Sequence, residues 1–186
     1  MANINSGNTQ IPTLYMTYPA DVFFDIETLV NVAQARKILI LGDCQSSFLD
    51  DYAAQKALLN QESKITHLAN AKLDQFWRQQ HRYDVAIVVN LLEHLDKAKG
   101  MQVLSRLRDV LSPQYCICLP LNKSGNASEW QLTDLFSFAL SKVASYRQDG
   151  VEYGLFKYNI NDYKKTPDWL NSDNWANPQM WGKYWW

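Results

Sequence analysis

The sequence has no apolar run approaching the roughly 20 residues that span a bilayer. Its first ten residues are polar and contain no apolar stretch of the kind a secretory signal needs. A dominant charge is missing too: 18 Lys and Arg stand against 19 Asp and Glu, a net charge of -1, and the cations form no run. No global field therefore draws in nucleic acid or an anionic membrane, and neither is expected as a partner. Cysteine is scarce and odd in number: Cys44, Cys116 and Cys118. Cys116 and Cys118 alternate within an apolar run and so share one face of a strand, which suits buried reduced thiols better than a disulfide framework. The expected compartment is the reducing cytoplasm. No Cys/His spacing fits zinc, so no metal is expected, and there is no P-loop and no nucleophile elbow. Internal repeats and a clear domain linker are absent as well.

What is present is an ordinary globular pattern. With 186 residues, 47% of them hydrophobic and 20% charged, the chain suits one domain around one core. Residues 1–20 read as a loop segment, 21–160 as the domain, and 161–186 as a tail. From Asp21, the residues Val22, Ile26, Leu29, Val30 and Ala33 recur at helical spacing. Residues 37–41 form a short apolar run ending at Gly42, the pattern of a strand buried on both faces. Ser47 and Asp50 have capping-box spacing, which predicts a helix start there and a helix carrying Leu49, Tyr52, Ala53 and Lys56 on to Leu59. A brief strand follows at 65–68, and Leu73, Phe76 and Trp77 mark a short helix.

The stretch from 83 to 90 is apolar and β-branched, so a central strand is expected. A helix follows with Met101, Leu104, Leu107 and Leu111 inward, and Ser112-Pro113 stops it. Residues 115–120 read as another buried strand. Ser128 and Gln131 repeat the capping-box spacing ahead of a helix with Leu132, Leu135, Phe136, Ala139, Leu140 and Val143. Asp149-Gly150, between 144–147 and 151–160, signals a hairpin. Alternating strands and helices predict an α/β fold, a mainly parallel sheet covered on both faces. A terminal antiparallel hairpin is unlike the usual dinucleotide-binding halves.

The run Tyr83-Asp84-Val85-Ala86-Ile87-Val88-Val89-Asn90-Leu91-Leu92-Glu93-His94-Leu95 resembles the fourth-strand segment of class I S-adenosylmethionine (SAM) methyltransferases. Members of that family commonly read F-D-x-V, then apolar residues, then L-E-H. Leu107-Arg108-Asp109-Val110-Leu111-Ser112-Pro113 is similar to the family's R-x-L-K-P-G-G, and the terminal hairpin is its hallmark topology. The resemblance covers roughly residues 20–160. It implies a Rossmann-like class I methyltransferase fold, a mainly parallel sheet with a C-terminal antiparallel hairpin, and SAM as cofactor.

The family's first motif reads apolar-apolar-D-L-G-x-G-x-G. Here the segment is Ile38-Leu39-Ile40-Leu41-Gly42-Asp43-Cys44-Gln45-Ser46. Gly42 aligns with the first glycine, Cys44 and Ser46 with the next two, and Ile40 with the acid, while Asp43 lies three places further on. By resemblance, Gly42, Asp43, Cys44 and Gln45 are the cofactor contacts, with Asn90 and Leu91 near the transferred methyl. The segment Ile65-Thr66-His67-Leu68-Ala69-Asn70 has no acid to hold a ribose, and only Asn70 stands there. Between Leu68 and Asp84 lie residues 69–83, where the family fits a helix, a strand and another helix. One helix of about ten residues rises about 15 Å, so the third strand is expected to be missing and the sheet shortened at one edge. Each loss removes one or two hydrogen bonds, worth roughly 0.5–1.5 kcal/mol each or up to about 3 when charged. Together they weaken SAM binding by roughly a hundredfold or more.

His94 is the candidate general base, since histidine is the side chain that titrates near neutrality. His67 and His81 read as surface or core residues. Five of the seven tryptophans lie in the tail, and Trp169, Trp175 and Trp181 are spaced by six, on one side of an extended chain. The tail is expected to strap across the domain; its alternative role is a partner-binding surface. The functional expectation is a methyltransferase-like protein, diverged or non-catalytic, serving as a binding or regulatory module for a small molecule or protein. The alternative is an active SAM-dependent methyltransferase on an unknown, small-molecule acceptor. A nucleotide-binding domain for another ligand is the third reading.

Overall fold

A computed structural model of the chain describes residues 18–121, 130–163 and 183. The unbroken apolar runs form strands β1 (Lys37–Leu41), β2 (Lys64–Leu68), β3 (Val85–Val89) and β4 (Gln114–Pro120). The alternating segments form β5 (Ser141–Gln148) and β6 (Val151–Asn159). All six belong to one sheet of order β2-β1-β3-β4-β6-β5. β1 lies parallel to β2 and β3, and β3 parallel to β4; β6 runs antiparallel to both β4 and β5. β3 is buried at every position, as a β-branched strand between two parallel neighbours should be. This is a Rossmann-like α/β fold: a mainly parallel sheet that ends in a C-terminal antiparallel hairpin, as expected.

Successive side chains of a strand point to opposite faces, and the core divides accordingly. On one face α1 (Ala20–Ala33) and α2 (Asp50–Leu58) cover Ile38, Ile40, Val85, Ile87 and Val89. On the other, α3 (Leu73–Trp77), α4 (Lys97–Arg106) and α5 (Leu132–Ser137) cover Leu39, Leu41, Ala86 and Val88. A short α6 (Ile160–Tyr163) follows β6. Each fully buried aliphatic or aromatic side chain contributes about 1.5–3 kcal/mol, so both faces are needed. Residues 69–83 hold only a turn at Asn70–Lys72 and α3, and no strand, which leaves β2 at the sheet edge as expected.

Several local expectations are corrected. The helix after Gln131 stops at Ser137 and does not reach Val143. Ala139 adopts a left-handed φ of 59°, the chain reverses, and residues from Ser141 pair with β6. The tight Asp149-Gly150 turn (φ 52° and 78°) drives the hairpin back that far, and strand pairing overrides the helical spacing of 132–143. The cap at this helix is Gln131 with Asp134; the expected Ser128–Gln131 pairing involves Ser128, which lies outside the described residues. Ser47 makes no cap either: a 3-10 turn, Ser46–Leu49, leads into α2 at Asp50. Met101 is exposed, and the inward stripe of α4 is Gly100, Val103 and Leu104, continued by Leu107. The Trp-rich strap expected of the tail lies outside the described residues. Among the described residues no helix is long and apolar enough to cross a membrane.

Candidate functional site

The carboxyl ends of β1, β2 and β3 meet in the crevice where open α/β sheets hold ligands. β1 delivers Gly42, with a φ of 111°. A Cβ at this position would lie 1.9 Å from the Val89 carbonyl oxygen, so glycine alone lets the turn lie this close to the end of β3. β3 delivers Asn90, a buried asparagine in left-handed conformation (φ 55°). β2 delivers His67 within the strand and Asn70 just beyond it.

These groups bond to one another. The Gly42 amide donates to the Leu68 carbonyl (3.0 Å) and the Cys44 amide to the Gly42 carbonyl (3.2 Å). The Asn70 amide donates to Asp43 Oδ1 at 3.0 Å, and its side-chain Nδ2 to the Asn90 carbonyl at 2.9 Å. Asn90 Nδ2 in turn donates to the Asp43 carbonyl at 2.8 Å. Asp43, Asn70 and Asn90 thus form a closed triangle over the end of β1, with bonds joining the ends of all three strands. His67 Nε2 lies 2.8 Å from the Gly42 carbonyl, and His94 Nε2 lies 2.9 Å from Asn90 Oδ1. Both partners are oxygens acting as acceptors, so each imidazole donates from Nε2. A base at His94 would have to be Nδ1.

The residues singled out from the sequence are only partly gathered here. Gly42, Asp43, Asn90 and His94 meet in the network. Cys44 is half-buried beside it, and its thiol is pushed up to about 11 by burial and, secondly, by the Asp43 charge; it is a neutral thiol at neutral pH. Gln45 is exposed, and the Leu91 side chain packs into the core with Leu68, Leu73 and Leu92. His67, read as an ordinary surface or core histidine, is part of the site. No local sequence signal marks it: it reaches the turn only through its register opposite Ile40, two residues before the turn glycine. Tyr18, just ahead of the expected domain start, is a second omission. It is buried against Tyr153 (ring centroids 4.9 Å apart), donates to Glu93 of the L-E-H motif, and its hydroxyl lies 3.4 Å from the Cys118 carbonyl. Burial first, then the Glu93 carboxylate, holds its phenol well above the usual tyrosine range.

Residues 21–186 match the model of a family of unknown function, DUF6231. The chain belongs to that family. The DUF6231 match runs through the last residue, so the Trp-rich tail is part of the family's pattern. No curated protein matches the chain by sequence. Among solved structures, the DUF6231 chain is similar to a 1,6-didemethyltoxoflavin-N1-methyltransferase from Burkholderia thailandensis, with 16% identity over 74% of this chain and 77% of that one and a TM-score of 0.48. It is similar to a magnesium protoporphyrin IX methyltransferase from Synechocystis, with 9% identity over 74% and 81% and a TM-score of 0.47. It is also similar to an O-methyltransferase of tomaymycin synthesis from Streptomyces achromogenes, with 10% identity over 77% and 82% and a TM-score of 0.46. At such identities nothing about ligand or reaction passes from those enzymes to the DUF6231 chain.

Proposed function

We propose that this chain is a non-catalytic, methyltransferase-like module that acts by binding a partner. The observation that carries this reading is the hydrogen-bonded triangle of Asp43, Asn70 and Asn90. Most of the polar groups at the ends of β1, β2 and β3 that a SAM molecule would meet are engaged with each other, and Asn70 Oδ1 is buried there without a partner. Opening them exposes donors and acceptors that a ligand must then satisfy at least as well, at about 0.5–1.5 kcal/mol net per bond. The site's composition points the same way. Ile40, at the place of the family's acid, is fully buried in the core. Gly42 makes room for the Val89 carbonyl and so serves the fold rather than a ligand cradle. At the end of β2 a neutral amide stands in place of a ribose-holding carboxylate. These residues do not fit SAM.

The test is a thermal titration of the purified protein with SAM and with its demethylated product. No saturable shift is expected at millimolar ligand. A saturable rise of roughly 5–10 °C, the effect of a native-state ligand at about 100 times its dissociation constant, would overturn this reading in favour of the active enzyme. In that second reading Gly42, Asp43, Cys44 and Gln45 line the cofactor, Asn90 and Leu91 adjoin the methyl group, and His94 acts through Nδ1. Gly42, retained at the turn with its positive φ, is the observation that favours it.

A further inference from the structure

β2 is an edge strand because residues 69–83 supply no strand to lie beside it. Its bonds to β1 show which of its backbone groups are already used. The Lys64 amide donates to the Arg36 carbonyl at 2.7 Å, and the Leu68 carbonyl accepts from the Gly42 amide at 3.0 Å. In a parallel ladder alternate residues turn both backbone groups toward the same neighbour, so Lys64, Thr66 and Leu68 face β1. Ile65 and His67 each turn an N–H and a C=O away from the sheet, and none of these four groups has a partner among the described residues. Ile65, Thr66 and His67 are only half-buried, whereas β3 is buried throughout. An edge of this kind pairs with an extended chain through main-chain hydrogen bonds.

Charge decides which chain. Lys64 is the register partner of Lys37 on β1, and both are exposed. Like charges directly opposite each other destabilise a sheet, and exposed Arg36 adds a third cation. Two exposed carboxylates belong to the same end of the sheet. Asp84 accepts the Arg36 and Lys37 amides at 2.7 and 2.8 Å, and Glu62 lies two residues ahead of Lys64. Among the described residues neither forms an ion pair with these cations, whereas Lys97, Lys142 and Lys157 have carboxylates at 2.6, 3.8 and 3.6 Å. A second copy does not supply the missing charge. Antiparallel registers that pair Ile65 or His67 with either residue of another copy set Lys64 opposite Thr66, Leu68 or Asn70. The register that sets Glu62 opposite Lys64 brings His67 against Leu59, in the turn that ends α2. Nor do the chain's remaining segments supply it. Residues 1–17 hold no Asp or Glu, 122–129 one Glu beside one Lys, and 164–186 two Asp beside three Lys. We propose that the β2 edge takes up an extended acidic segment of a partner protein as an additional strand. Its main chain pairs with Ile65 and His67, and a carboxylate opposite Lys64 relieves the Lys37–Lys64 repulsion.

The test uses the full chain and a synthetic probe, acetyl-Thr-Val-Glu-Val-Glu-Val-Thr-amide. One counterpart carries lysine in place of glutamate. A second is N-methylated at the valines, whose amides would face Ile65 and His67. The glutamate peptide is expected to bind saturably and to slow hydrogen exchange at the Ile65 and His67 amides. The lysine and N-methylated peptides should bind at least about fivefold more weakly, as should the glutamate peptide to K64E. K64E should keep the circular dichroism spectrum of the parent, since Lys64 is exposed, and should prefer the lysine peptide. No saturation at millimolar peptide overturns the proposal, as does binding indifferent to N-methylation or to K64E. Slower exchange at the two amides on raising the protein concentration alone overturns it in favour of a second copy. Tighter binding of oligodeoxythymidylate, lost in K64E, overturns it in favour of nucleic acid. The proposal rests on the partner-binding reading, and the SAM titration keeps the two failures apart. Failure of the peptide without a SAM shift removes this edge as the contact and leaves that reading, while a SAM shift removes the reading itself.

Discussion

At the amino end of β1 one side chain takes part in the joining: the Asp84 carboxylate accepts the Arg36 and Lys37 amides, while backbone bonds run from the Asp84 amide to the Lys37 carbonyl at 2.8 Å and from the Lys64 amide to the Arg36 carbonyl at 2.7 Å. At the carboxyl end the same task is divided among Asp43, Asn70, Asn90, His67 and His94, in short bonds that link three strands. Both ends meet the requirement that strand-end backbone groups find partners. They meet it with different consequences. An exposed carboxylate can be lost with water filling in. A cross-braced network with a buried, left-handed asparagine at its centre fails as a unit. The end where a Rossmann-like sheet would normally meet its ligand is thus the more extensively cross-braced of the two, and it holds one buried acceptor, Asn70 Oδ1, without a partner.

The sharpest way to break this contrast is Gly42→Ala. The added Cβ collides with the Val89 carbonyl, and the residue keeps a φ that alanine resists. A loss of about 3 kcal/mol or more is expected, a fall of roughly 6–12 °C in melting temperature for a chain of this size. An unchanged melting temperature would mean that the turn does not lie against β3. Next in size, Asn90→Ala should cost about 2–3 kcal/mol, through lost hydrogen bonds and an alanine left in a left-handed backbone. Asp84→Ala at the other end should cost about 1–2 kcal/mol. Denaturant unfolding of the two variants side by side checks the order, and a larger loss at Asp84 would reverse the comparison. The smallest effect is chemical. With its thiol raised from 9.0 to about 11, Cys44 favours the protonated form in the folded state. Its contribution to stability is present below about pH 9 and lost as pH rises through about 11. Thiol labelling at Cys44 in the folded protein should be slow at pH 8 and accelerate toward pH 11, and rapid labelling at pH 8 would show that the crevice is open.

Much of the scaffold was legible because burial leaves a one-dimensional trace. The aliphatic runs at 37–41 and 85–89 could only be strands covered on both faces, and the 15 residues from 69 to 83 were too few to hold a third strand. The helix expected through Val143 failed for a physical reason. Spacing along 132–143 fits a helix, but pairing with β6 pulls residues from Ser141 into the hairpin. The site was legible in outline through Gly42, Asp43 and Asn90. It was illegible in its bonding, because Asn70 and His67 become partners of the β1 turn only when β2 lies beside it.

Sequence alone, through periodicity and the length between strands, determined an α/β sheet with a terminal hairpin and one strand fewer at its edge, since apolar burial is encoded locally as spacing. Tertiary structure alone decided that Asp43, Asn70 and Asn90 bond to one another across three strand ends and that Tyr18 donates to Glu93. Those properties depend on distances between residues 20 to 75 positions apart, and a hydrogen bond or a charge pattern across a surface exists only once the chain has brought such residues together.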